Sequence, residues 1–488
     1  MSNIDKILTI TWLVIPFFIG FTLYLIPKFY RYQALAVALV SVAYSLYVYL
    51  APSSLNFQLL DHFGVTLIAD QLSGFFILTN GLVTAAVILY CWGSDKTAFF
   101  YMQAIILHGS VNATFICADF MSLYVALEVI SIGAFLLIAY PRSDRSLWVA
   151  LRYLFVSNTA MLFYLIGTIL VYQAHQSFSF AGLRGSPPEA IALIFLGLLV
   201  KGGIFISGLW LPLTHSESES PVSAMLSGVV VKAGVFPMVR CALMLEEIDP
   251  IVRFFGVLTA LLGVFYAVFE KDTKRMLAFH TVSQLGFVLA APIVGGFYAL
   301  THGLVKSALF LIAGILPSRN FKELQHQPMP TPIWIALVIA SFSISGFPLL
   351  SGFGAKVLTS KNLLPWQVIA MNIAALGTAI SFAKFIFLPH EFSPPLNAEG
   401  KKQPIKWGLW GAMLILLGGL VGANVVYREA YTLENIVKPL ATIGLGWLAY
   451  LVIFKRLAIK FPRGIEAFEH LIGVMSLMLI FLFWRALA

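Results

Sequence analysis

Four lysines, Lys201, Lys232, Lys306 and Lys356, and one glutamate, Glu128, interrupt stretches that are otherwise apolar enough to sit in a lipid bilayer. A lysine at the centre of a membrane helix costs about 2.5–3.5 kcal/mol on insertion scales, so four forfeit on the order of 10 kcal/mol unless protein or water surrounds them. Function is the better reason for their presence, and the chemistry that these groups share is proton transfer. Burial disfavours the ammonium and a nearby carboxylate restores it, so moving or neutralising Glu128 would switch a partner such as Lys201 between holding and releasing a proton. Lys232 stands between Gly228 and Gly234, where small residues admit water or a neighbouring helix. Lys306 follows His302 by one helical turn on the same face, and histidine titrates near neutral pH, so the two can form consecutive relay stations. His280 and Lys384 are secondary candidates. The structural alternatives are a carboxyl held by helix–helix hydrogen bonds for Glu128 and snorkelling to an interface for Lys232 and Lys306.

Such groups must be positioned by membrane helices. Hydrophobic residues make up 60% of the 488 and charged residues only 11%, and mean hydropathy is +0.90. Soluble domains carry about 25% charged residues, so the chain reads as an all-α polytopic membrane protein. Apolar runs long enough to cross a core of about 30 Å fall near 7–26, 33–51, 71–92, 98–117, 121–140, 148–173, 190–213 and 221–242. Further runs fall near 251–269, 276–294, 296–316, 331–352, 363–388, 407–424, 436–454 and 468–486, giving about sixteen spans. The first lacks a small-residue cleavage site and reads as an uncleaved helix. Residues 52–70 read as a small surface hairpin.

Lysine and arginine collect in alternate loops, at Lys28, Arg31, Lys96, Arg142, Arg145, Lys271, Lys274, Arg275, Arg319, Lys322, Lys401, Lys402, Lys406, Lys455, Arg456, Lys460 and Arg463. Basic loops stay in the cytoplasm, which puts both termini on the non-cytoplasmic side of a cell inner membrane or a thylakoid-type membrane. The net charge of +9 then reflects topology and contact with anionic lipid, and gives no reason to expect nucleic acid as a partner. Cys91, Cys117 and Cys241 are isolated, without zinc-ligand spacing, and no Gly-rich phosphate loop joins a strand to a helix. No metal, nucleotide or other cofactor is expected.

Two runs break the helix rules in matching ways. One carries Lys201-Gly202-Gly203 and then Gly208 to Pro212; the other carries Ser345-Gly346-Phe347-Pro348 and then Ser351 to Lys356. Both predict discontinuous helices, because the backbone groups that glycine and proline free can be satisfied only beside protein or a polar cavity. Residues 1–97 form N-terminal helices and an outer hairpin, and 98–242 and 251–388 form two units of about five spans each. An odd number of spans inverts the second unit relative to the first, as in inverted-repeat transporters. Residues 407–488 supply C-terminal helices.

Leu211-Pro212, His215 to Ala224, Gly228 to Lys232 and Arg240, then Lys274 to Gly286, His302 to Phe310 and Gly352 to Lys356 occur in an order that resembles the antiporter-like subunits of respiratory complex I and of Mrp-type multisubunit cation/proton antiporters. The resemblance spans about residues 98–390. It implies a fold of about fourteen core helices with two inverted five-helix units, to which this chain adds two C-terminal spans. It also implies that Glu128 and Lys201 form the first-half ion pair, that Lys232 and Lys306 continue a central hydrophilic axis, and that Lys356 is the second-half exit lysine, with His215 a further secondary station. Leu213-Thr214 stand where many members have Asp-Ala, and Tyr298 stands where some have another histidine.

The function so implied is a proton-translocating membrane subunit of a cation (Na+)/proton antiporter complex, related to the D-type subunit and working with other membrane subunits. Glu128 alone beside lysines makes no sodium cage, so the chain is expected to carry protons, with Na+ handled jointly or by a partner. The alternative is a proton-pumping subunit, similar to chain 4, of a complex I-like NADH or ferredoxin:quinone oxidoreductase. Neither reading places bond-making chemistry in this chain. A self-sufficient carrier of anionic metabolites would need a recognition cluster of aromatic or amide groups, which the sequence does not display.

Overall fold

In the computed structural model, residues 3–51, 53–59, 64–392, 407–456 and 466–487 are described. Hydrocarbon offers no hydrogen bonds to the main chain, so apolar runs satisfy their own N–H and C=O groups as helices. The first part holds α1 (Asn3–Leu25), α2 (Tyr30–Leu50), α3 (Gln71–Tyr90), α4 (Ala98–Thr114), α5 (Phe120–Ile138) and α6 (Asp144–His175). The middle holds α7 (Pro188–Gly202), α8 (Leu211–Glu217), α9 (Ser220–Met225), α10 (Lys232–Met244), α11 (Asp249–Phe269), α12 (Thr273–Ala290) and α13 (Gly295–Ala313). After these come α14 (Phe321–Leu324), α15 (Thr331–Ser345), α16 (Ser351–Lys361), α17 (Pro365–Ile386), α18 (Trp407–Val426), α19 (Leu433–Ala449) and α20 (Phe468–Leu487). Among the described residues, 12 helical segments are long and apolar enough to cross a membrane, and α15 and most of α20 are shorter apolar helices. Each expected run coincides with helix, and the chain is an integral membrane protein. The basic loop residues Lys401, Lys402, Lys406, Lys460 and Arg463 lie outside the described residues.

Helix starts carry local capping signals. The side chains of Asp70, Asp119 and Asp272 accept hydrogen bonds from the N–H groups of Ser73, Ser122 and Arg275, capping α3, α5 and α12. The expected hairpin forms from β1 (Leu55–Gln58) and β2 (Thr66–Ala69), antiparallel with Leu55 opposite Ala69. It is tied to the junction of α4 and α5, where Ile68 N–H donates to the Ile116 carbonyl at 2.7 Å and Ala118 N–H to the Thr66 carbonyl at 2.8 Å.

Burial orders the bundle. The spanning windows of Ser220–Met244 and Pro292–Ala313 are wholly buried, whereas those of α1, α18 and α19 are mostly uncovered. The first two therefore form the centre of the fold, and the polar residues they carry are enclosed by protein.

Both expected breaks are present. α7 ends at Gly203 in the left-handed conformation, followed by a 3-10 turn over Phe205–Trp210 and by α8. Trp210 Nε1 donates to the Val200 carbonyl at 2.9 Å, satisfying one group that the break frees. α15 ends at Gly346, with φ +86°, before α16 restarts at Ser351. A third irregularity has no glycine–proline signature in the sequence: Leu226–Val230 form a π turn, separated from Lys232 by Val231 alone.

Candidate functional site

Lys201 is the next-to-last residue of α7, buried against α5. Its Nζ donates to the Leu127 carbonyl at 3.0 Å and also to the Ser131 hydroxyl. Those groups flank Glu128 on α5, yet the described ion pairs do not include Glu128 with Lys201. The two charges interact through space, while Oε1 of Glu128 has no hydrogen-bond partner among the described residues. The expected direct pair is therefore replaced by main-chain and hydroxyl contacts. The physical reason lies in placement: Glu128 is only half-buried, at helical spacing from Val125, 56% exposed, and Ile132, 53% exposed, while Lys201 Nζ is taken up by the Leu127 carbonyl and the Ser131 hydroxyl.

Beyond Lys201, α7 meets α10 backbone to backbone. A Cβ on Gly234 would lie 2.3 Å from the amide nitrogen of Gly202, so only glycine permits this approach. The contact falls one residue past Lys201 and two past Lys232, bringing the first-half lysine beside the central helices. Lys232 is fully buried, and its Nζ donates to the carbonyls of Ser227 at 3.3 Å and Gly228 at 2.5 Å. Both belong to the π turn, whose wider winding loosens the usual helical pairing.

On α13, His302 and Lys306 are both buried, and Lys306 Nζ donates to the Leu277 carbonyl of α12. His302 lies within electrostatic reach of Lys232, Lys306 and His280. His280 on α12 lies within reach of Lys306, Lys356 and Lys384. Both ring nitrogens of His280 and of His302 are buried without a hydrogen-bond partner among the described residues. An unmet buried polar group costs about 1–3 kcal/mol, and polar sites of this kind are those that internal water satisfies. His215 on α8 packs between Trp210 and Phe310, with ring centroids at 6.2 and 5.8 Å, and interacts electrostatically with Lys306 and Lys274.

Lys356, in the first turns of α16, donates to the Ser345 carbonyl at 3.1 Å across the break. Carbonyls at a helix C-terminus lack intrahelical partners and concentrate negative dipole there, which suits an ammonium. A cavity with room for about one water molecule joins His302 to Lys356 and is also lined by Gln284, Tyr298 and Ser343. A second cavity of about 540 Å³ begins at Lys356 and is lined by Lys361, Asn372, Glu434, Lys438 and Thr442. Lys384 sits apart, with Nζ on the Ala267 and Glu270 carbonyls at 3.1 and 2.8 Å, at the C-terminal end of α11.

The structure thus gathers the buried Lys232, His302, Lys306 and His280 and the half-buried Lys356 into one series, with Glu128 and Lys201 at one end and His215 and Lys384 as side branches. Lys274, a loop charge by its place in the sequence, is 7% exposed and donates to the Ser218 carbonyl at 2.8 Å. Its proximity to Lys306 by way of His215 depends on the fold of α8 against α12, which no local signal announces. Tyr298 donates its hydroxyl to Oε1 of Gln284 at 2.7 Å and lines the cavity beside His302, so a polar group is retained there.

Comparison with known proteins agrees with this architecture. Residues 117–381 match the family model described as NADH:quinone oxidoreductase/Mrp antiporter, transmembrane. The D-type subunit of the Na(+)/H(+) antiporter of Alkalihalophilus pseudofirmus is 27% identical over 421 residues, covering 77% of this chain and 85% of that protein. The NAD(P)H-quinone oxidoreductase chain 4-2 of Synechocystis sp. is 26% identical over 495 residues, covering 89% of this chain and 88% of that protein. In fold, the chain is similar to a chain of the Mrp complex from Dietzia sp., with a TM-score of 0.74 at 20% identity, covering 94% of this chain and 99% of that one. It is also similar to a chain of the archaeal membrane-bound sulfane sulfur reductase complex, with a TM-score of 0.76 at 19% identity, covering 92% and 99%. With the family model spanning more than half its length, the chain belongs to the NADH:quinone oxidoreductase/Mrp antiporter transmembrane family.

Proposed function

We propose that this chain is a proton-translocating membrane subunit of a multisubunit cation (Na+)/proton antiporter complex, with Glu128, Lys201, Lys232, His302, Lys306 and Lys356 as its relay. The observation that carries the proposal is the pair of buried imidazoles of His280 and His302, set between lysines and without a hydrogen-bond partner among the described residues, in a series that meets a cavity of about 540 Å³ at Lys356. Water bridging these groups would give protons a hydrogen-bonded route. His215, His280 and Lys384 are secondary stations, with Lys384 on the basic side of the bundle and Lys356 facing the opposite cavity. The basic side faces the cytoplasm in this reading, and residues 98–242 and 251–388 are the two inverted units, each contributing one broken helix.

The Alkalihalophilus relative supports the antiporter reading. The second reading, a pumping subunit of a quinone-reducing complex, is favoured by the longer coverage of the chain 4-2 relative. Affinity purification of the tagged chain from its native membrane separates the two by the proteins that accompany it. The relay itself is tested in everted vesicles containing the whole complex. Lys306→Ala should abolish Na+-induced proton movement, and a wild-type rate in that variant would remove Lys306 from the path.

A further inference from the structure

Two apolar cavities open on one flank of the bundle and share Phe205 and Leu258. The larger, about 550 Å³, runs along α11 past Phe265 to Phe269, with Ile373 and Ile380 of α17 on one wall and Phe454 at its far end. The smaller, about 270 Å³, continues to Leu477 and Phe481 of α20. Phe265, Ile373 and Leu477 are each more than half exposed on these walls.

The shape of this groove selects its occupant. From Leu258 to Phe269 it follows α11 for about 16 Å, close to the depth of one leaflet in a hydrocarbon core about 30 Å thick. A spanning helix about 10 Å across and 30 Å long would need roughly 2,000 Å³, more than both cavities together provide. Acyl chains that enter from one leaflet need no such volume. The mouth has a matching charge: Phe454 is followed at once by Lys455 and Arg456, both exposed, at the basic end of the bundle. Basic side chains at this depth attract anionic headgroups.

We propose that this groove binds one anionic phospholipid, with its acyl chains in the two cavities between α17 and α20 and its headgroup phosphate at Lys455 and Arg456. The deep end of the site is Phe205, which belongs to the break after α7, has φ +54° and donates its N–H to Thr259 Oγ1 at 3.0 Å. The bound chains therefore fill the space between α20 and the α17–α19 side and press on the irregular segment four residues beyond Lys201. This inference requires only that the chain spans a membrane and is independent of the relay.

Native mass spectrometry of the delipidated complex, titrated with dioleoyl phosphatidylglycerol and with dioleoyl phosphatidylcholine, tests the site. Wild type should retain one phosphatidylglycerol in preference to phosphatidylcholine. The Lys455→Gln/Arg456→Gln variant, altered only at exposed positions, should bind phosphatidylglycerol about 30-fold more weakly, with phosphatidylcholine unchanged. Leu258→Trp/Leu376→Trp, which fills the groove, should lose retention of both lipids. Equal affinity of wild type for the two lipids, undiminished phosphatidylglycerol binding in the glutamine variant, or capture of a neighbouring subunit's helix by a photo-crosslinker at Leu261 would each overturn the proposal.

Discussion

An ammonium held by main-chain carbonyls alone can release its proton without leaving a buried carboxylate unpaired. Lys201, Lys232, Lys306, Lys356 and Lys384 all have carbonyl oxygens as partners, joined by one hydroxyl at Lys201. The charge is thus supported by dipoles fixed in the fold. Lys356 stands at the junction of the narrow polar cavity with the larger one, whereas Lys384 is tied to the end of α11. Lys356→Ala is therefore expected to lower Na+-driven proton flux about 100-fold or more, measured by pH-sensitive fluorescence in vesicles, and Lys384→Ala to lower it less. Equal losses would mean that Lys356 is not the exit. Glu128→Ala and Lys201→Ala should each abolish flux while the complex still assembles, because each removes one of two charges that act on each other at that locus. Normal flux in both variants would exclude the locus from the mechanism.

At the scale of the element, one break and one helix cap set the expected outcomes. Gly346 has φ +86°, and a Cβ there would lie 2.8 Å from Cδ of Lys356. Gly346→Ala should therefore cost about 1–2 kcal/mol in backbone strain and displace Lys356, reducing flux. Gly418→Ala, where a Cβ meets nothing within 4 Å among the described residues, should preserve both flux and thermal stability. At the hairpin end of α3, burial pushes the Asp70 carboxyl up, but the bidentate Arg240 guanidinium together with the hydrogen bonds from Ser73 outweighs it and holds the group below its ordinary value of 3.8. A depressed folded-state value means that the stabilisation is complete above the unfolded value and is lost as pH falls through the folded one. Asp70→Asn should lower the thermal midpoint at pH 7 and flatten the loss of stability expected of wild type below about pH 4. Parallel wild-type and variant curves would show that the ion pair does not contribute.

At the scale of the molecule, a series of lysines and histidines has no energy source of its own. A ligand or partner drives directional flow only by favouring one state of a bistable element over another, and the broken segments after α7 and α15 are the candidates. Purified alone into liposomes, the chain should show no Na+-dependent proton exchange, and the whole complex should. Robust exchange by the single chain would overturn the subunit reading. The uncovered faces of α1, α18 and α19 leave ample surface for neighbouring subunits or lipid.

The membrane class, the helical runs and both broken helices were legible in the sequence because hydrocarbon forbids unpaired backbone, so apolar length and the Gly and Pro positions carry the information directly. The cost of burying charge likewise marked Lys201, Lys232, Lys306 and Lys356 independently of any contact. What the sequence could not decide was direction. Helices that are apolar all round have no periodic face to read, so only packing reveals that Glu128 lies half-buried beside Val125 and Ile132 while Lys201 turns to the Leu127 carbonyl. The π turn before Lys232 and the enclosure of Lys274 beneath α8 depend in the same way on neighbours distant in the chain. Composition determined that these charges needed shelter, and tertiary packing decided which carbonyls, cavities and neighbours provide it.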